Sequence, residues 1–226
     1  MQRAGSTPGG PPWKMIRWQR PLAVAVLCLV SAGAVRAHPH AWIGLELEAL
    51  ADRPGQLDGF AITWRFDPLY TLLLTEDMPA AGDERQDSLD RLGARIMESI
   101  AAFDYLLFVE QPVTASGGGE AALQAVSMNA AGELVLQFER RFGSPLDLSR
   151  DALRYRIYDP AFYIQMSHDS AAAVQLGTAL GHCSVDVAPA RPDPAAFALA
   201  AELDIGGGEA EAIGRLFAET VTIACP

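Results

Sequence analysis

The first 37 residues contain no aspartate or glutamate, although the chain as a whole has 28. What charge they carry is basic: Arg3, Lys14, Arg17, Arg20 and Arg36. The basic stretch, the short apolar run from Pro21 to Val35 and the exit Val35-Arg36-Ala37 form a secretory signal peptide. The run is well short of the roughly 20 apolar residues that a spanning helix needs, which argues against a membrane anchor. Cleavage is expected after Ala37, leaving residues 38–226 as the mature domain with no direct membrane insertion. Cys28 lies inside the apolar run. The residues before it, Ala25-Val26-Leu27, lack the small residue expected ahead of a lipidated cysteine, so it belongs to the signal.

Basic residues are also scarce. The chain has 17 against 28 acids, and removing the signal takes five basic and no acidic residues. The mature domain then has 12 against 28, a net charge of −16. That balance argues against nucleic acid or an anionic membrane as partner, and suits surroundings rich in cations. Cysteine is scarcer still, with three in the chain. Once Cys28 is assigned to the signal, Cys183 and Cys225 remain, and an even pair in an exported protein reads as one disulfide. The long loop it closes implies about 4 kcal/mol of stabilisation in the chain-entropy picture. The other reading, two thiolate ligands, lacks a CxxC or CxxH spacing.

Catalytic signatures are missing. There is no Gly-x-Ser-x-Gly, no His-Glu-x-x-His, no phosphate loop and no Rossmann glycine pattern. One enzymatic option survives, a copper-dependent oxidase that holds its metal through an N-terminal histidine on a β-sandwich. The expectation is that the chain is not an enzyme.

What the mature chain does have is His38-Pro39-His40-Ala41-Trp42-Ile43 at its start. Two of the four histidines are here. After cleavage, His38 offers both its amine and its imidazole, and His40 adds a second ring. In a strand, residues two apart face the same side, so the two rings point together. Imidazole is a common ligand for Zn, Ni and Cu. Pro39 has no amide proton, so wrapping the metal with deprotonated backbone amides is blocked. Three donors remain, and a closed tetrahedral site needs a fourth. The candidates are His182, next to the proposed disulfide, and more weakly His168, Asp67 and Asp159. Asp67 and Asp159 read first as helix caps, with a carboxylate orienting a ligand histidine as a further option. The plainer alternative is a structural β-domain without metal, whose N-terminal histidines are incidental.

Alternating patterns predict strands at 38–50 and 56–66 around the turn Asp52-Arg53-Pro54-Gly55. Asp67-Pro68 starts a short helix over 70–74. Asp87-Ser88 caps a longer one over 88–101, with Leu89, Leu92, Ile96 and Ile100 on one face. Strands follow at 102–110, 121–128, 133–142, 153–158, 171–176 and 183–187, and a helix at 210–218 leads into a last strand at 220–225. The glycine-rich stretch 112–120 is a break that would separate two halves. The fold class is therefore α+β, antiparallel and β-rich, sandwich-like, with one main helix near 88–101.

Several motifs in order carry a resemblance: the His-Pro-His start, Trp64-Arg65-Phe66-Asp67-Pro68-Leu69-Tyr70, Tyr158-Asp159-Pro160-Ala161-Phe162-Tyr163, Cys183, and Gly214-Arg215-Leu216-Phe217-Ala218 ending at Cys225. Together they resemble the domain of unknown function 1007 family across the mature chain. The resemblance implies a periplasmic component of a transport system, with a role beside nickel/cobalt or zinc transporters. It points to a divalent transition metal (Ni, Co, Zn or Cu) as ligand and a membrane metal transporter as partner. Many relatives carry an acidic, glycine-containing segment suggestive of a calcium loop. Here the region Glu76 to Asp87 lacks the spaced acids, so calcium is not carried over.

Overall fold

The computed structural model describes residues 39–111, 119–206 and 213–226. The signal segment 1–37 with Cys28, the ligand candidate His38 and residues 112–118 of the expected break lie outside the described residues.

Among the described residues, ten strands form two sheets. The larger has the order β4-β5-β2-β1-β7, with β8 also pairing β1; the smaller runs β3-β6-β10-β9. In chain order the strands are β1 (Ala41–Leu50), β2 (Gln56–Phe66), β3 (Leu107–Gln111), β4 (Ala121–Met128) and β5 (Leu134–Asp147). They continue as β6 (Leu153–Ile157), β7 (Ile164–His168), β8 (Val174–Gln175), β9 (Ser184–Ala188) and β10 (Thr220–Ala224). The helices are α1 (Pro68–Thr75), α2 (Asp83–Ala101), α3 (Pro194–Gly206) and α4 (Gly214–Phe217). The pairings are antiparallel except β1 with β7 and β8, which are parallel.

Period-two burial makes each sheet two-faced. Ala41, Ile43, Leu45 and Leu47 of β1 are buried, as are Phe60, Ile62, Trp64 and Phe66 of β2. From the smaller sheet, Leu153, Tyr155, Ile157, Val221 and Ile223 enter the same core. Phe60 of β2 meets Tyr155 of β6 with ring centroids 5.3 Å apart. This shared core makes the fold a β-rich α+β sandwich. Helix α2 closes it over β4: a Cβ at Gly93 would stand 2.2 Å from Val126 Cγ2, so only glycine lets the helix approach this closely.

The structure corrects several element boundaries. Helix α2 begins at Asp83, four residues before the expected cap Asp87. Gly82, at φ 84°, takes the N-cap, and Asp83 and Glu84 occupy the first turn, where the helix dipole favours acids. Ser88 lies inside, its hydroxyl donating to the Glu84 carbonyl. The expected strand 102–110 yields only β3, because Asp104, Tyr105 and Leu106 all adopt left-handed backbone angles before it. Asp104 pairs there with buried Arg140, whose guanidinium lies over the Tyr105 ring. Strand β7 lies between the expected strands 153–158 and 171–176, and α3 between the expected strand 183–187 and helix 210–218, where no element was predicted.

Candidate metal centre

Strand β1 runs between β2 and β7, and this places its start between the two Asp-Pro motifs. Ile43 is in register with Phe66, the last residue of β2, and Ala41 with Ile164, the first of β7. One motif follows β2 and the other precedes β7. Two segments 92 residues apart in sequence thereby flank the chain as it leaves His40.

Each aspartate is spent on backbone amides. Asp67 Oδ1 accepts from the N–H groups of Leu69 and Tyr70 at 2.9 Å, capping α1, and Pro68 supplies the first turn. Its Oδ2 accepts from Trp42 N at 2.8 Å, and Asp67 N donates to the Trp42 carbonyl at 3.0 Å. Asp159 does the same for the other side without a helix. Its Oδ1 accepts from Ala161 N at 3.0 Å, and its Oδ2 from Tyr163 N at 2.9 Å and Ile164 N at 3.0 Å. The expected second helix cap is thus a cap on a turn, with Phe162 in the left-handed region at φ 56°. Phe162 stacks on Phe217 of α4 at 3.8 Å between centroids, and Gly214 N donates to Pro160 O at 3.0 Å. A Cβ at Gly214 would lie 1.8 Å from the Asp159 carbonyl oxygen, so α4 braces this turn through a glycine.

His40 is joined to the second motif. Its N–H donates to the Tyr163 carbonyl at 2.9 Å, and its ring stacks on the Tyr163 ring at 4.7 Å. The His40 imidazole is exposed. Tyr70 lies at the same end. Burial raises its phenol above the ordinary value, and Tyr163, Asp159 and Asp67 push it further the same way. That shared influence places Tyr70 within electrostatic reach of both motifs.

The other candidate ligands stand elsewhere. His168 ends β7, in register with Leu45. It is a buried strand residue, and its Nδ1 is 2.9 Å from Glu219 Oε2, which also accepts the His168 N–H at 2.8 Å. Glu219 is 51 residues away, and no sequence pattern linked the two. His182 lies in the turn before β9, and this turn is tied to the β1–β2 hairpin by Gly55 N donating to Ala179 O at 3.3 Å. That is the far end of β1 from His40, on the order of a ten-residue strand away, roughly 30 Å. His182 and His168 therefore do not complete a shell around His40. His182 instead groups with Cys183 and Cys225, which are joined as a disulfide with Cα atoms 4.1 Å apart. The separation is short because the two continue the register of Ser184 with Ala224 across β9 and β10.

Residues 23–225 match the family model described as "Protein of unknown function (DUF1007)". The chain belongs to the DUF1007 family. A relative from Haemophilus influenzae, named an uncharacterized protein, is 25% identical over 204 residues, spanning 88% of this chain and 97% of its own. Of the motifs that carried the resemblance, the two Asp-Pro segments and Gly214–Phe217 gather around the start of β1, while Cys183 and Cys225 stand at its other end.

The donor chemistry at this end of the DUF1007 chain divides cleanly. The carboxylates of Asp67 and Asp159 each hold three backbone amides, so as ligands they would have to release the turns they build. They hold backbone, which leaves imidazole as the candidate donor type. His40 could offer one ring, and His38, two residues upstream, would offer a second ring and an amine if cleavage follows Ala37. That set suits a borderline divalent cation of the Zn, Ni, Co or Cu class. Among the described residues no helix is long and apolar enough to cross a membrane.

Proposed function

We propose that this protein is a periplasmic accessory or substrate-binding component of a transition-metal (Ni, Co or Zn) transport system. It takes up a divalent cation at the processed start of the chain, through His38 and His40. The observation that carries the reading is the convergence on His40 of two Asp-Pro turns from distant parts of the sequence. They fix the backbone on both sides of the start of β1, while the His40 ring stays at the surface against Tyr163. A half-open set of nitrogen donors suits a carrier that must release its ion better than a closed structural site would.

The proposed partner is the membrane transporter itself. Trp42 is half exposed, and Leu69, Leu72 and Leu73 of α1 are 58 to 70% exposed at the same end of the molecule. Exposed apolar residues grouped on one short helix suit a protein contact.

Calorimetric titration of the signal-cleaved protein with Zn(II), Ni(II), Co(II) and Cu(II) tests the reading. One of these should bind with one-to-one stoichiometry, more weakly as pH falls, because a protonated imidazole has no lone pair to give. His38→Ala and His40→Ala should each weaken binding by at least about tenfold. Equal binding by wild type and both variants would remove the N-terminal stretch from the function.

A further inference from the structure

At the opposite end of the sandwich, we infer that reduction of the Cys183–Cys225 disulfide creates a second metal site, made of two thiolates and the His182 imidazole and selective for a thiophilic cation of the Zn(II) class. The inference does not rest on His38 or His40, which share no donor with it.

The geometry is already close to what such a site requires. The ligating atoms of His182, Cys183 and Cys225 all lie within 4.8 Å of one another. Around a tetrahedral Zn(II), with sulfur at about 2.3 Å and nitrogen at about 2.0 Å, ligand atoms stand roughly 3.5–3.8 Å apart. The two cysteines sit opposite each other one residue beyond the paired ends of β9 and β10, next to the Ser184–Ala224 pair, with their side chains joined. Rotating the two side chains apart reaches the ligand spacing without moving a strand. The third donor is held by an anchored turn. Cys183 N donates to Leu180 O at 2.9 Å, Gly181 N to Thr178 O at 3.4 Å, and Leu180 itself is fully buried.

Access and charge agree with this. His182 is exposed and both cysteines are half-buried, packed on the core from one side only. A disulfide that is only partly buried can be reached by a dithiol, and accessible disulfides are the more readily reduced ones. The chemistry balances. A dithiol reductant attacks the disulfide, passes two electrons to it and leaves as its own disulfide, and the protein gains two protons as Cys183–SH and Cys225–SH. Metal binding then displaces both thiol protons, while neutral His182 contributes a lone pair. The product is uncharged, two thiolates against one divalent ion, which suits a half-buried position. A fourth coordination position stays open to water.

Cobalt(II) is the probe, because thiolate-to-cobalt charge transfer absorbs in the near ultraviolet and histidine sites cannot imitate it. Protein reduced anaerobically with a phosphine should take up one Co(II) beyond what the oxidised protein binds, develop this band and release two protons to a pH indicator as the band forms. The oxidised protein should show no band. His182→Ala, at an exposed position that leaves the disulfide able to form, should weaken Co(II) binding by at least about tenfold. His40→Ala should leave the band unchanged. Three results would each overturn the inference: no charge-transfer band in the reduced protein, equal Co(II) affinity in His182→Ala, or loss of the far-ultraviolet circular dichroism of the fold on reduction.

Discussion

Glu110 shows how much one side chain does on the outer face of the smaller sheet. Its Oε1 accepts from Arg156 Nε at 3.0 Å and Arg215 Nη2 at 2.6 Å, and its Oε2 lies 3.3 Å from Arg154 Nε. Arg156 in turn donates to the carbonyls of Arg215 and Ala218, so the network fastens α4 to β6. Burial alone would raise the carboxyl pKa, but the hydrogen bond from Arg215 and the charges of Arg156 and Arg215 outweigh it, and the net shift is downward. A depressed folded pKa places the stabilisation above the unfolded value of about 4.3, and it is lost as pH falls from there through the folded value. Glu110→Gln should therefore lower stability at neutral pH by about 2 kcal/mol. It should also flatten the decline of stability below about pH 4.3. Urea unfolding of both proteins across that range measures the two effects, and parallel pH curves would count against the network.

Among the elements, α1 depends most visibly on a single residue. It has eight residues, too few to persist without tertiary support. Asp67 supplies that support by capping α1 and holding Trp42 of β1. Asp67→Ala should cost about 2 kcal/mol, the cap contributing about 1 and the bond to Trp42 the rest. It should also weaken metal binding at His40, because the start of β1 loses one of its flanking ties. Asp67→Asn keeps one oxygen acceptor and should recover part of the stability. Chemical denaturation with calorimetry on the same variants separates the two effects. The Asp-Pro start of this helix could be read from sequence because capping is local. The second Asp-Pro motif could not be told apart from the first by sequence. Its helix is replaced by a turn because Asp159 gives its oxygens to Tyr163 and Ile164, whose positions are set by pairing with β1.

At the scale of the whole molecule, the disulfide adds a covalent tie to the pairing of the smaller sheet. It joins residues 42 apart and locks β9 to the end of β10, the central partner of β6 and β9. The loop length corresponds to about 4 kcal/mol. Cys183→Ser with Cys225→Ser should lower the free energy of unfolding by about that amount while leaving a folded domain, since one continuous core joins both sheets. Equilibrium denaturation of the double variant checks it. A variant that does not fold at all would show that the sandwich needs the bridge to form.

Local chemistry determined much of this protein from sequence alone. Period-two burial marked β1, β2 and most of the later strands, and the α+β class followed from them. The cap of α1 and the Cys183–Cys225 pairing were equally legible, because each needs only a short motif or an even count. The left-handed turn at 104–106 was not, since it rests on Arg140 from a strand 36 residues away. The place of His168 was not legible either, because its partner Glu219 is distant and its strand β7 pairs in parallel with β1, contacts that leave no local pattern. The grouping of ligand candidates was decided by the tertiary structure alone. Four histidines in a sequence carry no information on which of them meet. Sheet order put His40 between Asp67 and Asp159, and sent His182 to the far end of the same strand beside the disulfide. Distances between such residues are set by strand pairing across the whole chain, and pairing is settled only when both sheets bury their apolar faces together.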